Sequence, residues 1–179
     1  MTKWFASTLA GLVFAVLAPI AQAAWVDATG KPLPDTTSMR TSGDLGVRIL
    51  LTKDVKAFRK NWSNSRTPPS LQTANAVQIG RAVTAFIVFH GCAANARGLC
   101  ELVCDFVVHG PDGKPNPATG GAVWVRKPPQ PRYQQLGQTS LQIGFNQTDR
   151  VGAWKVVALV TDKVSGATLS VEADLTVTE

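Results

Sequence analysis

Apolar and polar residues alternate with a period of two along much of the chain, most clearly near its end. There Leu169, Val171, Ala173, Leu175 and Val177 share one face, and Thr168, Ser170, Glu172, Asp174 and Thr176 share the other. Successive side chains of a strand point to opposite faces, so the pattern predicts a strand over 167–177 in a sheet with one wet side. Other strand-like runs fall near 82–90, 100–109, 122–126, 139–145 and 153–161, each bounded by Gly, Pro, Asn or Asp. Leu45, Val47, Ile49 and Leu51, alternating with Gly46, Arg48 and Leu50, predict an earlier, half-buried strand.

The period changes after Thr52. Val55, Phe58 and Trp62 recur at helical spacing and predict one short amphipathic helix near residues 53–62. Thr52 is its candidate cap, and Lys53, Lys56, Arg59 and Lys60 form its exposed face. Ser63 to Asn75, with Pro68-Pro69, reads as loop. No long helices alternate with the strands, which disfavours a parallel α/β sheet and predicts an all-β, antiparallel sandwich or barrel.

The first residues follow a different logic. Lys3 precedes an almost wholly apolar run from Trp4 to Ile20, which ends in Ala21-Gln22-Ala23. A short positive start, an apolar stretch and a small-x-small site predict a cleavable Sec-type signal peptide over 1–23, and a periplasmic or secreted protein. The run falls short of the roughly 20 residues a comfortable bilayer span needs, and no later segment is apolar for longer, so no membrane span is expected after cleavage. Residues 24–44 are rich in Gly, Pro, Thr, Ser and Asp and are expected to form an extended N-terminal arm, with 45–179 a single domain. The formal charge of +6 drops to +5 when Lys3 is removed, since residues 1–23 hold no acid. That surplus allows an anionic polymer as a partner. Export separates the protein from nucleic acid, so none is expected.

Asp149-Arg150-Val151-Gly152-Ala153-Trp154-Lys155-Val156, followed by Val160-Thr161-Asp162 and Ser165-Gly166, resembles the closing hairpin of bacterial immunoglobulin-like domains. Phe106-Val107-Val108-His109-Gly110-Pro111-Asp112-Gly113 similarly resembles a strand running into a turn of such domains. The resemblance covers roughly residues 80–179 and implies an antiparallel immunoglobulin-like β-sandwich. It puts Trp154 where a tyrosine corner has its Tyr, although an indole lacks the corner's hydroxyl. It implies a fold and no function.

Cys92, Cys100 and Cys104 follow the signal, and an oxidising compartment makes a disulfide the expectation. Cys100 and Cys104 lie four residues apart on one predicted strand, about 13 Å at 3.3 Å per residue, which is too far for a bond. A Cys92–Cys100 bond, stapling a hairpin, is preferred over Cys92–Cys104, and leaves Cys104 a buried thiol beside Leu102 and Phe106. His90 is expected across that hairpin, near Cys92 or Leu102. Glu101, Asp105 and His109 share a strand face, but successive members are again about 13 Å apart, so no metal site is expected.

The sequence contains no G-x-S-x-G elbow, no phosphate-cradling Gly-rich loop and no H-E-x-x-H, and the chain is expected not to be an enzyme and to need no cofactor. Arg126-Lys127-Pro128-Pro129-Gln130-Pro131-Arg132-Tyr133 joins basic charge, polyproline stiffness and an aromatic. Arg126, Lys127, Arg132 and Tyr133 are the candidate contact surface, in a stretch that also reads as a stiff inter-strand connection. The expected function is a non-catalytic protein-binding module whose partner is another envelope or extracellular protein. The alternative is an envelope polymer- or carbohydrate-binding protein, which would stack its ligand on exposed Trp25, Trp62, Trp124 or Trp154.

Overall fold

Rows of apolar side chains at every second position need a second surface to close against, and a computed structural model shows where they find it. The structure describes residues 25–27, 29–64, 71–130 and 133–179. The expected signal segment, residues 1–23, lies outside them, as does Arg132. The elements are β1 (Met39–Ser42), β2 (Leu45–Thr52), α1 (Val55–Asn64), β3 (Ala76–Gln78), β4 (Ala82–His90), β5 (Leu102–His109), β6 (Pro115–Trp124), β7 (Gln135–Gly144), β8 (Gly152–Asp162) and β9 (Thr168–Thr178). One sheet has the order β1-β2-β4-β7 and the other β3-β9-β8-β5-β6. Within the second, β9-β8-β5-β6 pair antiparallel. The expected all-β sandwich with one short helix is the observed architecture. The main core lies between the sheets, filled by Val47, Ile49, Ile87, Phe89, Leu102, Phe106, Val156, Val160, Val171 and Leu175.

Some elements depart from the sequence pattern. β6 starts at Pro115 rather than near 122, because its first half, Pro115-Asn116-Pro117-Ala118-Thr119-Gly120, carries no apolar alternation. Proline lacks the N–H that a ladder needs and so belongs on an edge strand, which is where β6 sits. Gly120 lies so close to the Cys104 carbonyl that a Cβ there would collide with it, and the β5–β6 register shifts at this point. β3, inside a stretch rich in loop residues, pairs parallel with β9 and is the exception to antiparallel pairing. The helix is capped by Asp54 rather than Thr52. Ala57 N donates to Asp54 Oδ1 at 2.8 Å, while Thr52 still belongs to β2, pairs with Thr84, and accepts from Asp54 N at 3.2 Å.

β4 shapes the rest of the architecture. Every residue from Val83 to His90 is buried. Val83, Ala85, Ile87 and Phe89 enter the main core, so Thr84, Phe86, Val88 and His90 point out of the sandwich and need a cover of their own. Helix α1 supplies part of it: the Phe58 ring stacks on Phe86 at 4.7 Å, nearly parallel, with Trp62 behind it at 6.4 Å and the Arg59 guanidinium 4.9 Å from the Phe86 centroid. The N-terminal segment supplies the remainder. Trp25, 2% exposed, meets the His90 ring edge-on at 4.9 Å and its indole N–H donates to the Arg40 carbonyl at 3.4 Å.

The N-terminal segment is therefore anchored on the sheet at its two ends, by Trp25 and by Met39 of β1. The Asp27 carboxylate holds a tight turn by accepting from Thr29 N and Lys31 N. The segment also bridges the two sheets, since the Thr37 carbonyl accepts from Glu172 N on β9 at 2.7 Å. Together with β3, this occupies hydrogen-bonding groups along the β9 edge that would otherwise invite pairing with another chain.

Two predictions follow from this cover. Replacing Phe58 by Ala removes the ring that seals Phe86 and should cost about 3–5 kcal/mol, read as a lower urea midpoint with the secondary structure retained. His90 is 3% exposed and its Nε2 has no hydrogen-bond partner. Burial lowers its pKa from the ordinary 6.5, and the Asp44 carboxylate opposes the shift only in part. The unfolded chain thus takes up a proton more readily than the folded one. Stability should be full above pH 6.5 and decline as pH falls below it, with Trp25 fluorescence reporting the change. His90→Phe should flatten that decline, and an unchanged pH profile in the variant would show that His90 is not its source.

Candidate functional site

Loops on a rigid sandwich are where side chains are free to meet a partner, and strand register shows which loops gather. Gly46 pairs with His90, while Leu102 pairs with both Asp162 and Trp124. The β1–β2 turn, the β4–β5 and β6–β7 connections and the β8–β9 turn therefore lie at one end of the sandwich.

The β4–β5 connection bears the disulfide. Cys92 and Cys100 are bonded, with Cα atoms 5.9 Å apart. β4 and β5 belong to different sheets, so the bond closes a crossing from one sheet to the other and does not staple a hairpin. For the same reason His90 does not lie across a hairpin from Leu102; its ring faces outward to Trp25. Inside the disulfide loop Asn95 folds the backbone, its Oδ1 accepting from Arg97 N at 2.9 Å and Leu99 N at 3.2 Å while Nδ2 donates to Glu101 Oε1 at 2.6 Å.

Asp162 ties this loop to its neighbour. It is 1% exposed and accepts from Ala93 N at 2.8 Å with one oxygen and from Val164 N at 3.0 Å with the other, so the buried carboxylate serves two loops. The Lys163 N–H adds a bond to the Glu101 carbonyl at 2.9 Å. Asp162 escaped the sequence analysis, although the signal was present: it continues the inward row Val156, Ala158, Val160 at period two, and an acid on an inward row needs partners.

The β6–β7 connection is attached to the same brace through Cys100 N, which donates to the Arg126 carbonyl at 2.8 Å. Trp124 anchors it from below, packing on Phe89 at 5.7 Å and donating its indole N–H to the Lys127 carbonyl at 2.9 Å. The Arg126 guanidinium lies 5.6 Å from the Trp124 ring centroid and donates to the Gln138 side-chain oxygen at 3.0 and 3.2 Å. Arg126 and Lys127 are exposed, as is Tyr133 at 55%. Val125, overlooked in the sequence because it continues an apolar run, is 49% exposed beside them. The structure thus places Arg126, Lys127 and Tyr133 on one connection with Val125.

The four tryptophans proposed for stacking on a polymer are turned to internal use. Trp25, Trp62 and Trp124 pack as described above, and Trp154 meets Phe145 edge-on at 5.2 Å. The Trp154 indole N–H donates to the Arg150 carbonyl at 2.9 Å, making the upstream backbone bond for which a tyrosine corner uses its hydroxyl.

No family model and no curated protein matches this sequence. Solved structures resemble it in fold. A family 123 glycoside hydrolase from Clostridium perfringens aligns at 9% identity and a TM-score of 0.42, over 73% of this chain and 27% of the hydrolase. The CARDB domain of the PF1109 protein from Pyrococcus furiosus aligns at 10% identity and 0.37, over 58% of this chain and 80% of the domain. A beta-glucosidase from Listeria innocua aligns at 7% identity and 0.38, over 84% of this chain and 18% of the enzyme. The chain thus spans about a quarter or less of each of the two hydrolases. At these values the likeness concerns the β-rich architecture alone. The expectation that the chain is not an enzyme is corrected: the solved structures similar to it include a glycoside hydrolase and a beta-glucosidase, and the absence of short motifs does not exclude catalysis, because catalytic groups converge in space.

The remaining cysteine yields a prediction. Cys104 is buried beside Leu102 and Phe106, and burial, helped by the Asp105 carboxylate, pushes its thiol up to about 12. At pH 8 it is a thiol and not the nucleophilic thiolate. Maleimide applied to the native, non-reduced protein should label nothing, and after denaturation without reductant should label Cys104 alone; rapid native labelling would contradict this burial.

Proposed function

We propose that this protein is an exported, immunoglobulin-like binding module of the cell envelope or extracellular space, which contacts another protein through its disulfide-braced loop end. The observation that carries the reading is the placement of exposed Val125, Arg126, Lys127 and Tyr133 on a connection hydrogen-bonded to the Cys92–Cys100 loop. Tyr and Arg are the side chains that most often dominate protein interfaces, and a brace that orders them beforehand reduces the entropy lost on binding. The disulfide and the signal-like N-terminus support a site of action outside the cytoplasm. Among the described residues no helix is long and apolar enough to cross a membrane.

The test is capture from an envelope fraction on the immobilised mature chain, beside an R126E/K127E/Y133A variant with the same urea midpoint. A single protein retained at physiological salt by the native chain, and at least tenfold less by the variant, is the expected result. Equal retention by both would remove the loop end from the site, and recovery of a polysaccharide in place of a protein would favour a polymer-binding function.

A further inference from the structure

Charge is unevenly distributed along the chain. Residues 45–100 contain eight Lys and Arg and one acid, Asp54, whereas residues 101–179 contain seven basic and eight acidic residues. The fold turns this asymmetry into two faces. Lys53, just ahead of α1, and Lys56, Arg59 and Lys60 within it are all exposed, and Arg48 is exposed on the outward row of β2, the side of the sheet that α1 covers. Asp54 is engaged in capping the helix. The N-terminal segment that covers the rest of this side adds Asp27 and Asp35, both held in hydrogen bonds within that segment, and Asp44, together with the basic Lys31 and Arg40. The outer face of the opposite sheet carries Asp105, Glu172 and Asp174, and its Lys155 is bound to Glu172 at 2.7 Å.

We infer that the basic ridge of α1 docks on the anionic phospholipid surface of a bilayer. Three of its four charges are lysines, compact and strongly hydrated point charges suited to a diffuse field of headgroups; arginine is the residue for planar, bidentate recognition. The single arginine, Arg59, lies over the Phe86 ring. The apolar side of α1 is consumed by Phe86, so the ridge has no apolar side chain to insert and the attachment is electrostatic and reversible. Each basic group near an anionic leaflet strengthens binding by about fivefold, within a screening length of about 10 Å at 0.1 M salt. The opposite, acidic face is repelled, which gives the docked molecule one orientation. α1 follows the Thr52 end of β2, and the loop end lies at the other, where Gly46 meets His90, so docking leaves the loop end free.

The experiment is co-sedimentation of the mature protein with vesicles of phosphatidylcholine alone or with one-third phosphatidylglycerol. Three proteins are compared: native, K53E/K56E/K60E, and K114E/R150E/K163E, whose net charge changes by the same six units at exposed positions elsewhere. The native protein should bind the anionic vesicles at low salt, bind phosphatidylcholine at least tenfold less, and be released by 0.5 M salt. The ridge variant should lose at least tenfold while the matched variant loses less than threefold, with equal urea midpoints throughout. Absence of native binding, or equal loss in both variants, would overturn the inference. The R126E/K127E/Y133A variant keeps the ridge and should sediment like native protein, so this result and the loop-end result can fail separately.

Discussion

The architecture depends on β4 being dry on both faces. Ala82-Val83-Thr84-Ala85-Phe86-Ile87-Val88-Phe89-His90 has almost no polar side chain to give to water. A sandwich covers only one face of such a strand, and leaving the other open would expose Phe86 and Val88, each worth about 1.5–3 kcal/mol when buried. The chain meets this with a third, partial layer: Phe58 and Trp62 from α1 over Phe86, and Trp25 over His90. The surface properties of that side follow. Once the apolar side of α1 is spent on β4, what the helix shows to solvent is Lys56, Arg59 and Lys60 with the polar Asn61 and Ser63.

The opposite requirement governs the loop end. A loop whose side chains stand in solvent has few apolar contacts with which to hold its own shape, so order comes from a covalent bond and from buried polar groups. The Cys92–Cys100 bond fixes the crossing between sheets, the Asp162 carboxylate joins it to the β8–β9 turn, and Cys100 N joins it to the β6–β7 connection. Val125, Lys127 and Tyr133 then stand exposed on a connection whose backbone is already tied down.

Much of the frame was legible along the chain. β8 and β9 follow from alternation at period two and α1 from the spacing of Val55, Phe58 and Trp62, whereas the Cys92–Cys100 pairing, expected from a hairpin, closes a crossing between sheets instead. The same alternation contained the inward position of Asp162, and the unbroken apolar run of β4 contained its need for two covers. These are local properties, fixed by the geometry of one segment whatever its neighbours.

Only the tertiary structure decided which segments meet. β3 is three residues long and exists because β9, one hundred residues away, offers it a ladder. Thr37 is held by Glu172, Trp25 by β4, and the first half of β6 by β5 despite its prolines. That β4 and β5 lie in different sheets, that His90 faces out, and that the connection bearing Val125, Arg126, Lys127 and Tyr133 is hydrogen-bonded to the disulfide loop are likewise consequences of pairing across the fold. The sequence by itself determined the periodicity of the strands and the helix, because side-chain direction repeats within a segment. The cover of β4, the edge strands and the braced loop end were left to the folded chain, because hydrogen-bond partners and buried area are supplied by residues distant in sequence.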